Sequence, residues 1–316
     1  MRITGAHDGV AGPVLLECDP TGSGGGFVLV STEDGRDGLS RWDAETGALL
    51  WCSRTALQGV NALAAVRGAG AGTLIAAAGE GGVDCWQASD GEPLAWRSSY
   101  RGTVWSVAAA YLPGGRAMLV GAGHDKRVHR WGLDTGARPV PALEGHNAIV
   151  TCVAANSLPD GTALIASGGD DGHVIRWDAE SGRMLGAPLQ SRGFAEITNV
   201  ALLRSPTDRL LVAAGDTNGT LYRWNALTGE PIGRAIEMGA TARMLCTIHL
   251  DGKPLVIASG EDEVVRRWNA VTGEQNDPPV TGVAVACAQR ADGTVFLATG
   301  TNNGDVTVCE LGRAWP

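Results

Sequence analysis

The residues whose types could do chemistry are few, and their spacing argues against most of it. His124 and His129 are five positions apart with Asp125 between them. On a strand, residues five apart point to opposite faces, so the two imidazoles would share a metal only with the help of a turn, and no metal is expected. The cysteines, Cys18, Cys52, Cys85, Cys152, Cys246, Cys287 and Cys309, include no C-x-x-C pair, and several lie in apolar stretches. They read as buried reduced thiols acting as small hydrophobes. Gly22-Ser23-Gly24-Gly25-Gly26 is rich in glycine but precedes no helix-like segment, so it reads as a hairpin tip and not a phosphate cradle. Asn218-Gly219-Thr220 has the form of a glycosylation acceptor and reads as a tight turn. The phosphate-loop, His-Glu-x-x-His and Gly-x-Ser-x-Gly signatures are absent, and neither a cofactor nor a catalytic residue is expected.

Composition limits the elements that must position any site. The 316 residues include 46 glycines and 14 prolines, yet 44% are hydrophobic, which describes a turn-rich chain with ample material for a core. No apolar run approaches the ~20 residues of a membrane helix. The segment Met1 to Asp8 lacks the apolar stretch of roughly 7–15 residues that a secretory signal needs, so a cytoplasmic protein is expected. A net charge of −9 argues against nucleic acid and favours a cationic partner. Lysine occurs only at Lys126 and Lys253 while arginine, alanine and glycine abound, a usage that suggests a GC-rich bacterial genome.

Tryptophan marks a repeat. Trp42, Trp86, Trp131, Trp177, Trp224 and Trp268 follow one another at intervals of 44, 45, 46, 47 and 44 residues. Each opens a related segment, such as Trp42-Asp43-Ala44-Glu45-Thr46-Gly47, Trp177-Asp178-Ala179-Glu180-Ser181-Gly182 and Trp268-Asn269-Ala270-Val271-Thr272-Gly273. A degraded further copy places Cys309 in the tryptophan position, 41 residues after Trp268. Within the fourth copy, apolar stretches over 149–155, 163–167 and 174–177 are divided by Pro159-Asp160-Gly161 and Asp170-Asp171-Gly172, and an outer strand is expected over 184–188. Four antiparallel strands cannot bury both their faces alone, so successive copies must stack.

These copies resemble the repeats of the WD40 family, which run from a Gly-His pair to a Trp-Asp pair. The fourth matches best, with Gly145-His146, Ser167, Asp171 and Trp177-Asp178. The resemblance implies an all-β fold, a seven-bladed β-propeller of four-stranded antiparallel blades formed by residues 1–316 as one domain. It also implies that His146, Ser167, Asp171 and Trp177 form a structural hydrogen-bonded network. Tyr100 and Gly193 stand where the third and fifth copies should have histidine, and Glu80 and Asn218 replace the turn aspartate. Those blades are expected to lean on packing. Since the last copy ends soon after Cys309 and Arg2-Ile3-Thr4 precedes Gly5-Ala6-His7, the N-terminal strand is expected to close the last blade. The segments ending in Trp51 and Trp96 also resemble quinoprotein-type propeller repeats, whose outer-strand tryptophans pack between blades.

Propellers of the WD40 family usually bind partners around the central channel, through residues at the start of the innermost strand and just before the turn aspartate. By position these are Asn61, Trp105, Thr151, Thr198 and Leu245 from the strands, and His124, Asp170, Thr217, Glu261 and Asn302 from the turns. Trp105 reads either as a channel-mouth contact or as packing between blades. Asp170 and Glu261 read either as attractors of a cationic side chain or as solvated carboxylates. The resemblance therefore implies a non-enzymatic scaffold for a protein or peptide, separate or a second copy, with no role for nucleic acid or membrane. The alternative is an enzyme or small-molecule binder in which His124, Asp170, Glu261 and Trp105 converge. That reading requires a cavity of a few hundred cubic ångströms and a carboxylate within hydrogen-bond reach of His124.

Overall fold

The computed structural model describes residues 2–3, 11–18, 27–33, 38–68, 72–133, 140–158, 160–205, 209–290, 292–303 and 305–311. His7, Gly22 to Gly26 and Thr4 to Ala6 lie outside them. Each tryptophan copy forms one four-stranded antiparallel sheet, and the sheets are named below by their tryptophans. In the Trp177 sheet the strands are Val150–Ser157, Ala163–Gly169, His173–Asp178 and Leu189–Gln190, paired in that order. The outer strand starts later than the expected 184–188. Met184 makes only an isolated bridge to Trp177, because Gly186 turns the chain at a φ of 72° and Pro188 has no N–H to donate.

Six sheets are built from consecutive strands in this way. A composite sheet orders Arg2–Ile3, Val306–Leu311, Val295–Gly300 and Ala284–Gln289, so the two ends of the chain meet, with Arg2 opposite Thr307 and Ile3 opposite Val306. Innermost strands of successive sheets pack side by side, and Ala284–Gln289 packs against the innermost strands of both the Trp268 and the Trp42 sheets. The arrangement is an all-β propeller of four-stranded blades. Because every sheet is covered on two faces, its second strand is apolar without alternation: Ala163–Gly169 and Leu210–Asp216 are buried at every position. Removing residues 1–5 would uncover the edge of Val306–Leu311. Differential scanning fluorimetry of that truncation is expected to show a melting temperature lower by roughly 3–6 °C; an unchanged melt contradicts a closing role for this strand.

The sheets are also joined by arginine. The residue before the tryptophan is Arg41, Arg130, Arg176, Arg223 or Arg267 in five copies and Cys85 in the sixth, and all of these are buried. Arg176 shows the arrangement: Nη1 donates to Ala226 O and Leu227 O of the next sheet, each at 3.1 Å, and Nη2 donates at 3.2 Å to Ala187 O in the segment before its own outer strand. Arg130 likewise reaches Ala179 O at 2.9 Å, and Arg223 reaches Val271 O at 3.2 Å. The glycine five residues after each receiving tryptophan completes this joint. A Cβ on Gly229 would lie 2.8 Å from the Arg176 guanidinium, and the φ of 79° there suits glycine alone. Where Arg41 is followed by the Trp86 copy, Trp51 adds a contact: Nε1 donates to Ala88 O at 3.0 Å and the ring lies against Gly91. That is inter-blade packing by an outer-strand indole.

Candidate functional site at the mouth of the ring

A β-bulge near the start of the innermost strand recurs in six sheets. It lies between Ala11 and Val14 in the Trp42 sheet. In the five others the ladder skips Asn61, Trp105, Thr151, Thr198 and Arg243. A bulged residue leaves the strand's alternation and is re-aimed, and here Asn61, Trp105, Thr151 and Thr198 line one cavity. The facing turns are tied to the strand starts by one repeated bond. The N–H groups of His124, Asp170, Thr217 and Glu261 donate to the carbonyls of Thr103, Ile149, Glu196 and Thr241, at 3.1, 3.0, 3.0 and 3.0 Å.

The bulges correct one expected position. Leu245 lies two residues beyond the bulge of its strand, pairs with Ala258 and packs into the apolar layer beside the Trp268 sheet; Arg243, exposed, holds the equivalent place. The hairpin after this strand is short, with Leu250 paired directly to Lys253. Leu245 stands 23 residues before Trp268, short of the bulge at Arg243, which stands 25 before it, as Asn61 does before Trp86.

Asn61, Trp105, Thr151, Asp170 and Thr198 come together around one cavity of about 440 Å³, which Ile149, Glu196 and Ile197 complete. Trp105 is 40% exposed, and its ring lies 6.2 Å from that of His124, tilted by 42°. Thr151 Oγ1 donates to the carbonyl of Ile197 at 2.5 Å, Thr198 Oγ1 to Gly215 O at 3.1 Å, and Asn61 Nδ2 to Val104 O at 3.1 Å. Burial raises the pKa of Asp170, Glu196 and Asp171 raise it further by repulsion, and His124 opposes them. The remaining expected residues, Thr217, Glu261 and Asn302, are exposed on turns and do not line this cavity; Asn302 Nδ2 instead donates to Glu263. Among the described residues no hydrogen bond joins His124 to Asp170 or Glu261, and the imidazole rests beside an indole. His129 is engaged elsewhere: Nε2 donates to Asp125 at 3.0 Å and the ring stacks between Tyr100 and Trp131.

Behind the mouth lies the polar network of the Trp177 sheet. Trp177 Nε1 donates to Ser167 Oγ at 2.9 Å, and Ser167 Oγ meets His146 Nε2 at 2.9 Å. His146 Nδ1 reaches Asp171 Oδ2 at 3.0 Å, which as a contact to a carboxylate places the proton on Nδ1. Burial alone would raise the pKa of Asp171, but the His146 bond and the N–H groups of Asn147 and His173 outweigh it and hold the carboxyl down to about 2.

Sheets without that histidine do not fall back on packing alone. The residue two before the tryptophan supplies a partner, where Ile175 stands in the Trp177 sheet. His129 holds Asp125, and Arg266 holds Asp262. Tyr222 OH donates to the buried Asp216 at 2.9 Å and accepts the N–H of Arg192. Asp84 accepts Arg97 Nε at 2.8 Å. In the Trp86 sheet Ala76 takes the place of Ser167, and the buried Trp86 Nε1 has no partner among the described residues.

Residues 137–178 match the family model for the WD40 repeat, described as WD domain, G-beta repeat. No curated protein matches the chain. Among the described residues no helix is long and apolar enough to cross a membrane.

Proposed function

Taking the chain as a β-propeller of the WD40 family, we propose that it is a protein-interaction scaffold whose binding face is the mouth of the ring around Trp105. In this reading residues 1–316 form one domain, and the six consecutive sheets and the composite sheet are seven blades of one closed ring. WD40 propellers generally serve as such scaffolds, though a fold does not by itself fix a function. The observation that carries the proposal is an indole, 40% exposed, set on a bulge at the wall of a cavity of about 440 Å³. Aromatic anchors in pockets dominate the energetics of recognition, and here the surrounding strands and turns fix the anchor in place. Asn61, Thr151, Thr198 and Asp170 act beside it, with His124 backing the ring. Thr217, Glu261 and Asn302 belong to the rim in this reading.

A displayed library of random peptides tests it. Peptides selected on the wild-type protein are expected to lose at least about tenfold in affinity on Trp105→Ala and to be unaffected by Gln289→Ala near the far end of its strand. Selected peptides that bind Trp105→Ala unchanged would remove this face from the proposal.

A further inference from the structure

We infer that the Trp105 cavity takes an arginine side chain of a partner polypeptide, an assignment that rests on the scaffold reading above and narrows it. Three of the four neutral polar side chains that line the cavity have committed a donor to a backbone carbonyl, Thr151 to Ile197, Thr198 to Gly215 and Asn61 to Val104, and the fourth is the indole of Trp105 itself. What those three turn to a ligand is mainly acceptor lone pairs. Asp170 and Glu196 add two carboxylates, and among the described residues no hydrogen bond or ion pair engages either side chain. Such a lining disfavours anions and neutral acceptors and favours a donor that carries charge.

The shape of the donor follows from the indole. Trp105 supplies an indole, 40% exposed, in the same cavity wall as these acceptors. A guanidinium is planar, stacks on an aromatic face and presents five N–H groups in a rigid fork, whereas an ammonium is compact and strongly hydrated. Arg243, the one cation among the bulged residues, does not line the cavity, so it leaves the two carboxylates unneutralised.

A second feature points outward from the same place. The turn Arg192–Phe194, which delivers Glu196, holds Phe194 at a φ of 58° with 58% of its surface exposed. A bulky residue is strained in that region of backbone space, and such strain persists where the surroundings impose it. The surroundings are explicit here: Ser191 Oγ donates to Ala195 O at 2.7 Å, and the buried Tyr222 hydroxyl accepts the Arg192 N–H at 2.9 Å. The Phe194 ring meets His173 edge-on with centroids 5.8 Å apart, and its exposed side suits a partner in which an apolar residue accompanies the arginine.

The test uses the full chain, labelled with nitrogen-15, and reads the indole N–H resonance of Trp105, assigned from Trp105→Phe. The probes are blocked pentapeptides with arginine, lysine or citrulline at the centre and leucine beside it. The arginine peptide is expected to move the resonance saturably, the lysine and citrulline peptides to bind at least about tenfold more weakly, and Asp170→Asn to weaken the arginine peptide by about tenfold. Citrulline binding as tightly as arginine, lysine binding as tightly, or no movement up to about 5 mM arginine peptide would each overturn the assignment. If library-selected peptides lacking any cation still depend on Trp105, the scaffold reading stands and the arginine falls. If neither assay finds a ligand at Trp105, both fall.

Discussion

Arg176→Ala is expected to destabilise the protein by about 3 kcal/mol and to lower its melting temperature by roughly 6 °C. The guanidinium is buried between two sheets, and its removal leaves the carbonyls of Ala226, Leu227 and Ala187 without their charged donor, that of Ala226 in a buried place. Arg176→Lys should recover less than half of the loss, because a single ammonium cannot span carbonyls that flank it on both sides. The measurement is the urea midpoint and the thermal melt of both variants beside Arg97→Ala. The Arg97 side chain pairs with Asp84 but is 44% exposed, so its removal should change stability far less. An Arg176→Ala protein that melts within about 1 °C of wild type would mean that the joints between sheets are held by apolar packing alone.

Asp171→Asn is expected to destabilise the protein by about 2 kcal/mol at pH 7 and by progressively less as the pH falls below 4. The sign follows from the pKa, which is held down to about 2 in the folded chain against an ordinary value of 3.8. A carboxyl whose folded pKa is depressed contributes stability that is fully present above its unfolded value and is lost as the pH falls towards the folded one. Wild type therefore gives up this contribution between about pH 4 and pH 2, while the asparagine variant has none to lose there. Urea unfolding at pH 7, 5 and 3 checks it: the two stability curves should converge on the acid side. Parallel curves across that range would show that the His146 bond to Asp171 contributes nothing that depends on charge.

The architecture was legible because one large residue recurs at a nearly fixed interval and must be buried each time. Trp42 to Trp268 located six sheets, and Cys309 located the composite one because the strand patterns on either side of it persisted. The candidate site was legible only in part. Trp105, Thr151, Thr198, Asn61 and Asp170 were reached by mapping positions from the fourth copy, a correspondence that holds while the hairpins between keep their length. It failed at Leu245, because the bulge is placed by pairing across the sheet, and the short Leu250 to Lys253 hairpin moved Arg243 into that role. Glu196 carried no signal of its own; it matters because the turn before its strand points it into the cavity. The arginine before the tryptophan was visible in five copies, but its carbonyl partners lie in the following copy, and a reading made within one period does not look there. The expectation that copies lacking histidine would rely on packing missed the position two before the tryptophan, where His129, Tyr222, Arg266 and Asp84 differ in chemistry and yet each finds a local partner.

The joints made by Arg130, Arg176 and Arg223 in succession run in one direction: each extends a guanidinium forward to carbonyls of the following copy. A gene built of such units can be lengthened or shortened by recombination between its own repeats without stranding a donor or an acceptor, provided the crossover spans a whole period. The exchange would leave a mark at Cys85 and Val308, the two copies that have no forward arm to give.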